Sequence, residues 1–233
     1  MADEGDLRGL DPFDQLDREA ERLDRFFTTL DGSRWDDPSR CEGWTVRDVL
    51  AHLASTESYH HACLDDTLSA FLQNGLDAGA SDLDGFNEWG LRAYEGRDPA
   101  AILDEWRAAN AQTRRRMRER GGGTMTTMVP GYPVRLQAFH LASELATHAD
   151  DVGAPVDPGE VAARTKWRAQ FSRFTIAEAE RDVHIEPTGG ANRIQADDSE
   201  AVLSDAELVE AAIGRLAPDH PLPPALRTIL SSA

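Results

Sequence analysis

Lysine is almost missing. Lys166 is the only one among 24 basic residues, set against 42 acidic ones in a chain of 233. The net charge of −18 excludes general nucleic-acid binding, which needs a cationic surface to displace counterions, and it disfavours docking on anionic membranes. Cysteine is scarce too: Cys41 and Cys63 give no disulfide framework, so a reduced, cytoplasmic protein is expected. No apolar run approaches the ~18 residues of a membrane-spanning helix. The acidic start Met1-Ala2-Asp3-Glu4-Gly5-Asp6 lacks the apolar stretch of a signal peptide.

What the chain does have is enough apolar content for a core, 40% of its residues, arranged mostly at helical spacing. Phe13, Leu16, Ala20, Leu23, Phe27 and Leu30 predict a first helix over 12–31. Thr45-Val46-Arg47-Asp48 is a capping box, so a second helix should begin at Thr45 and run through His52 toward Phe71, ending near Gly75. A short helix is expected around 85–95. Asp98-Pro99 opens another, which turns Ile102, Trp106, Ala109, Thr113 and Met117 inward and stops at Gly121-Gly122-Gly123. The last long helix spans roughly 134–152 and closes at Gly153. Four long helices suit a four-helix bundle over residues 10–155. After a Pro- and Gly-containing linker, 161–180 reads as a helix. Residues 181–187 and 191–195 read as a hairpin around Thr188-Gly189-Gly190, and 208–216 as a further helix. The expected class is mainly α, a bundle followed by a small α+β appendage over 160–233.

Two of these helices carry the chemistry. Glu144 and His148 stand four residues apart, which on a helix separates them by about 40° around the axis. They point the same way and can grip one ion. Gln137, Leu141, Glu144, His148 and Asp151 share a stripe flanked by apolar Ala142, Leu145 and Ala149, so the pair is at least partly buried. A buried carboxylate beside an imidazole calls for a partner, and a metal is one. His52 comes from an otherwise apolar helix. Together His52, Glu144 and His148 form a candidate metal site with an open fourth position, the ligand count of catalytic zinc. Tyr59, seven residues after His52, shares its face and is a candidate for contacting substrate. His140, one turn before Glu144, is an alternative ligand or an orienter of metal-bound water. His60 and His61 are expected to face solvent. Cys41, just ahead of a helix N-terminus, is read as a small buried turn residue, with a nucleophile as the other reading. The run Arg114-Arg115-Arg116-Met117-Arg118-Glu119-Arg120 offsets a helix dipole, and Gly121-Gly122-Gly123 lacks the Lys of a phosphate loop.

The segment Cys41-Glu42-Gly43-Trp44-Thr45-Val46-Arg47-Asp48 through His52-Leu53-Ala54, with Glu144 to His148 before Ala149-Asp150-Asp151, resembles the mycothiol-dependent maleylpyruvate isomerase family of DinB-like four-helix metalloproteins. The resemblance covers about residues 10–155. It implies that His52, Glu144 and His148 are zinc ligands and that mycothiol is the thiol cosubstrate. It also implies a thiol activated for addition to a small electrophile, giving isomerisation or S-transfer. A C-terminal domain similar to sterol carrier proteins accompanies the family, with an Arg on the substrate carboxylate. Arg215 in Gly214-Arg215 is the candidate here and Arg227 the alternate. Arg135, near the bundle mouth, is the candidate within the bundle for the thiol cosubstrate or a carboxylate. The expected partners are mycothiol and a small electrophile, with no nucleic acid or membrane, in a monomer or homodimer. The rival class is a metal-binding regulatory or interaction protein with a structural metal.

Overall fold

The computed structural model describes residues 4–231; Met1, Ala2 and Asp3 of the acidic start lie outside them. Asp11–Pro155 forms one compact unit, and the segment up to Leu10 joins the chain from Val156 onward in another.

In the first unit, α1 (Pro12–Thr28) starts where Asp11 accepts from the Phe13 and Asp14 amides at 2.8 and 3.3 Å. It buries Leu16, Ala20, Leu23, Phe26 and Phe27. The predicted capping box opens α2 (Val46–Leu64): the Thr45 amide donates to Asp48 at 2.9 Å and the Asp48 amide to Thr45 at 3.3 Å. Loss of such a cap costs about 1 kcal/mol, so Thr45→Ala should lower unfolding free energy by about that much in a urea titration. The second helix does not continue to Gly75. It ends at Leu64, Asp66 takes a left-handed φ of 56°, and a separate α3 (Leu68–Asp77) follows. The apolar periodicity persists across this break, which is why the sequence reads as one helix.

A short α4 (Leu83–Arg92) lies on α2 where Gly90 meets Ser55; a Cβ at Gly90 would stand 2.6 Å from the Ser55 hydroxyl. Asp98 and Pro99 open α5 (Pro99–Glu119) as expected. Its arginine run does more than offset the dipole. Arg118 pairs with Asp14 and Asp17, Arg114 with Asp17, and Arg116 with Asp65, tying α5 to α1 and to the end of α2. After a two-residue strand pair, β1 (Thr124–Met125) with β2 (Tyr132–Pro133), the chain enters α6 (Val134–Asp151). Gly153 at φ 70° closes it. Helix α1 packs on α6 and α5, and α2 packs on α5. No helix among the described residues is long and apolar enough to cross a membrane.

The second unit holds α7 (Val161–Glu178) and a three-stranded antiparallel sheet, β3 (His184–Pro187), β4 (Ala191–Ala196) and β5 (Ser199–Ser204). Two more helices complete it, α8 (Asp205–Ala212) and α9 (Pro224–Leu230). Its core gathers Ile176, Ile194, Leu203, Leu208, Leu226 and Leu230. The hairpin stands where the Thr-Gly-Gly turn places it. The third strand turns back at Asp197, whose φ is 47°, a turn signal too short to read from sequence.

Candidate metal centre

Helix α2 presents His52 and α6 presents Glu144 and His148 to one point. The Glu144 carboxylate oxygen Oε1 lies 2.9 Å from His52 Nε2 and 3.1 Å from His148 Nε2. The two imidazole rings meet nearly edge-to-face, centroids 4.9 Å apart. Their side chains are 6–7% exposed, whereas Glu144 remains 40% exposed, so the cluster is buried on the histidine side and open on the carboxylate side. Burial resists the charge on Glu144, but His148 and then His52 outweigh it and hold the carboxyl well below its ordinary range. Burial likewise resists protonation of His148; Glu144, Asp151 and Cys41 overcome it and hold the imidazole well above its usual 6.5. The cluster therefore favours a cation, and a proton is the smallest. Two imidazoles and one carboxylate fit a divalent ion with a vacant coordination position.

Behind His148 stands a second set of donors. His148 Nδ1 faces Asp151 Oδ2 at 3.2 Å, the Cys41 thiol donates to the same oxygen at 3.1 Å, and the Cys41 sulfur is 3.8 Å from Nδ1. Cys41, His148 and Asp151 are all buried and lie close enough to hold an ion of their own, but they share His148 with the first set. Cys41 is the buried turn residue that its position suggests. Trp44, from the same loop, sets its ring 5.1 Å from that of His52.

The other candidates have contacts of their own. His140 Nε2 pairs with the Tyr132 hydroxyl at 3.0 Å and does not join either donor group. Tyr59 packs its ring against His60 and Phe71, and burial leads the causes that raise its hydroxyl pKa. Arg135 is half-buried in the first turn of α6, its guanidinium 5.9 Å from the Phe139 ring. In the second unit, Arg215 follows α8, where its amide donates to the Glu210 carbonyl at 2.8 Å. Arg227 donates to the carbonyls of Leu216, Ala217 and His220, bonds that brace the unit.

Residues 16–153 match the family described as the mycothiol maleylpyruvate isomerase N-terminal domain. The chain belongs to that family. Over 97 residues it is 30% identical to an uncharacterized protein of Mycobacterium tuberculosis, found in two strains. That match takes in 42% of this chain and only 37% of the relative. The fold is similar to the crystal structure of the mycothiol-dependent maleylpyruvate isomerase, with a TM-score of 0.61 and 17% identity over 89% of each chain. A histidine-to-alanine mutant of that enzyme gives 0.60 and 17% over 88% of each. The mainly α architecture is thus that of the maleylpyruvate isomerase fold.

Two buried ionisable groups of this family domain went unnoticed or misread in the sequence. His60 does not face solvent: it is 5% exposed, and its Nδ1 is buried without a hydrogen-bond partner. Burial pushes its pKa down to about 4, with the Glu144 charge opposing and His61 adding to the shift. Glu57 is 1% exposed. It accepts from Asn110 at 2.8 Å and Thr113 at 2.5 Å, and Asn110 in turn accepts from Arg114 at 2.8 Å. Burial pushes its carboxyl up to about 7 despite the two hydrogen bonds and Arg114. A carboxylate on the apolar face of α2 is the signal that could have found it.

Proposed function

We propose that this chain is a metal- and mycothiol-dependent enzyme that isomerises maleylpyruvate-type acids, with His52, Glu144 and His148 as the ligands of a divalent ion. The observation that carries the reading is the convergence of both Nε2 atoms on a partly exposed carboxylate, inside a bundle of this family. When bound, an ion held by two imidazoles and one carboxylate keeps positive charge and an open position, and so lowers the pKa of a thiol placed there. Zinc suits the donors, though histidine and carboxylate also accept nickel, iron or manganese.

Each residue has a distinct task. Glu144 neutralises part of the ion's charge and stands at the open side of the cluster. His52 and His148 form the buried wall that keeps water off the other side. Mycothiol, when bound, would supply a thiolate for addition to a conjugated carbon of the acid. Rotation about the single bond so formed, with expulsion of the same thiolate, would give the geometric isomer, whereas return to the enolate of the proton that the thiol gave up would leave the adduct of S-transfer. Arg135 is the bundle's candidate for the anion, through the planar fork that suits a carboxylate. Arg215 is the candidate in the second unit.

A second reading, a protein with a structural metal, is favoured by the buried Cys41, His148 and Asp151 set. Elemental analysis and turnover decide between them. Purified protein should carry about one divalent ion and convert maleylpyruvate only with mycothiol. Chelation should stop turnover, and zinc should restore it. Metal present without turnover supports the structural reading, and undiminished turnover after verified metal removal ends the mechanism. Turnover that needs metal but no thiol points to hydrolysis.

A further inference from the structure

The two imidazoles are held in unequal ways. His52 Nδ1 is buried with no hydrogen-bond partner, so nothing polar holds that edge of the ring, whereas Glu144 meets its Nε2. His148 Nδ1 faces a carboxylate oxygen that also takes the Cys41 thiol. The Asp151 side chain is fully buried, and a buried carboxylate needs donors.

The loop bearing Cys41 is built to deliver that thiol. Ser39 accepts from the Cys41 amide at 3.1 Å and donates to the Trp44 carbonyl at 2.9 Å. The Arg40 amide donates to the Asp151 carbonyl at 2.9 Å, pinning the loop to the last turn of α6. Gly43, at φ 78°, allows the reversal that brings Trp44 to His52.

We propose that Cys41 is a positioning residue of the metal centre: its thiol donates to Asp151, and Asp151 fixes the His148 ring with Nε2 turned to the ion. The inference rests on the ligand set proposed above. It gives Cys41 a role as a protonated donor, not as a ligand or nucleophile. Sulfur sits on the Nδ1 edge of the ring, whereas Glu144 occupies the Nε2 edge. A carboxylate behind a coordinating imidazole sets its tautomer and raises its basicity, and loss of such support weakens metal binding about 10–100-fold.

The test uses Co2+ as the probe on the full chain, with affinity, absorption spectrum and the Tm of the metal-free protein as readouts. Cys41→Ala should weaken Co2+ binding about 10-fold and Asp151→Asn about 10–100-fold. Cys41→Ser should stay within about 3-fold of wild type, because a hydroxyl makes the same donation. Metal-free Cys41→Ala should melt within about 4 °C of wild type. The proposal is overturned if Cys41→Ala binds Co2+ like wild type, or if serine fails to restore the affinity. It is also overturned if metal-free Cys41→Ala melts well below that range. A cobalt–thiolate absorption band in wild type that vanishes in Cys41→Ser makes Cys41 a ligand and overturns it too. Failure of the functional reading shows separately, as Co2+ retained by Glu144→Ala or as absent mycothiol-dependent turnover.

Discussion

Glu144→Ala should all but abolish metal uptake. Support residues alone change metal affinity by 10–100-fold, so loss of the only anionic ligand of the set should exceed ~100-fold in zinc affinity by equilibrium dialysis. The same titration carries a pH signature. Metal and proton compete for His148, and an ordinary imidazole would settle that contest near pH 6.5. Here the metal-free imidazole is held well above 6.5, so wild-type zinc affinity should keep climbing with pH beyond the ordinary histidine range. In Glu144→Ala the residual affinity should level off at lower pH, because the charge that holds the proton is gone. Full zinc retention in Glu144→Ala, with loss in Cys41→Ala, would move the ion to Cys41, His148 and Asp151.

The second large effect concerns stability. Glu57 is raised from 4.5 to about 7 in the fold. Below about pH 4.5 both folded and unfolded chains carry its proton, and its full contribution is present. Between 4.5 and 7 the unfolded chain loses the proton first, so stability falls as pH rises, by about 3 kcal/mol in total. His60, lowered from 6.5 to about 4, works in the opposite sense. Its contribution is present above 6.5 and is lost as pH falls through 4, again about 3 kcal/mol. The two windows nearly coincide, so their slopes largely cancel in wild type. Glu57→Gln, which can still accept from Asn110 and donate to Thr113, should uncover the His60 slope. The variant's unfolding free energy, measured in urea from about pH 4 to 7.5, should drop steeply relative to wild type on the acid side. Parallel curves for the two proteins across that range would show that Glu57 titrates as an ordinary carboxylate.

The helices were legible because local chemistry announces them: apolar spacing from Phe13 marks the first, and Thr45 with Asp48, Asp98-Pro99 and Gly153 all stand at the boundaries their residue types predict. The break after Leu64 was not, since it depends on one residue, Asp66, entering the left-handed region without glycine. At the site, spacing on a single helix exposed Glu144 and His148, and an apolar context exposed His52. What spacing cannot reveal is which residues meet from distant segments. Asp151 was visible as part of a stripe and Cys41 as a turn residue, but their shared contact with His148 spans more than a hundred residues of chain. His60 was misjudged because helical phase alone does not say how many neighbours surround a helix. With α5 packed on it and α4 beside Ser55, α2 has little solvent-facing surface.

The segment before α1 carries a consequence for the order of assembly. Asp6 accepts from Arg173 at 2.6 Å, and its carbonyl from Gln170 at 2.7 Å, so residues that emerge ahead of the bundle find their partners on α7, which emerges after it. Domains generally fold as they emerge, and the bundle between these two points can close first. The second unit must wait for α7 before the segment ahead of the bundle can join it. Trimming the chain to begin at Asp11 should therefore spare the helices that gather His52, Glu144 and His148, and weaken the sheet-bearing unit instead.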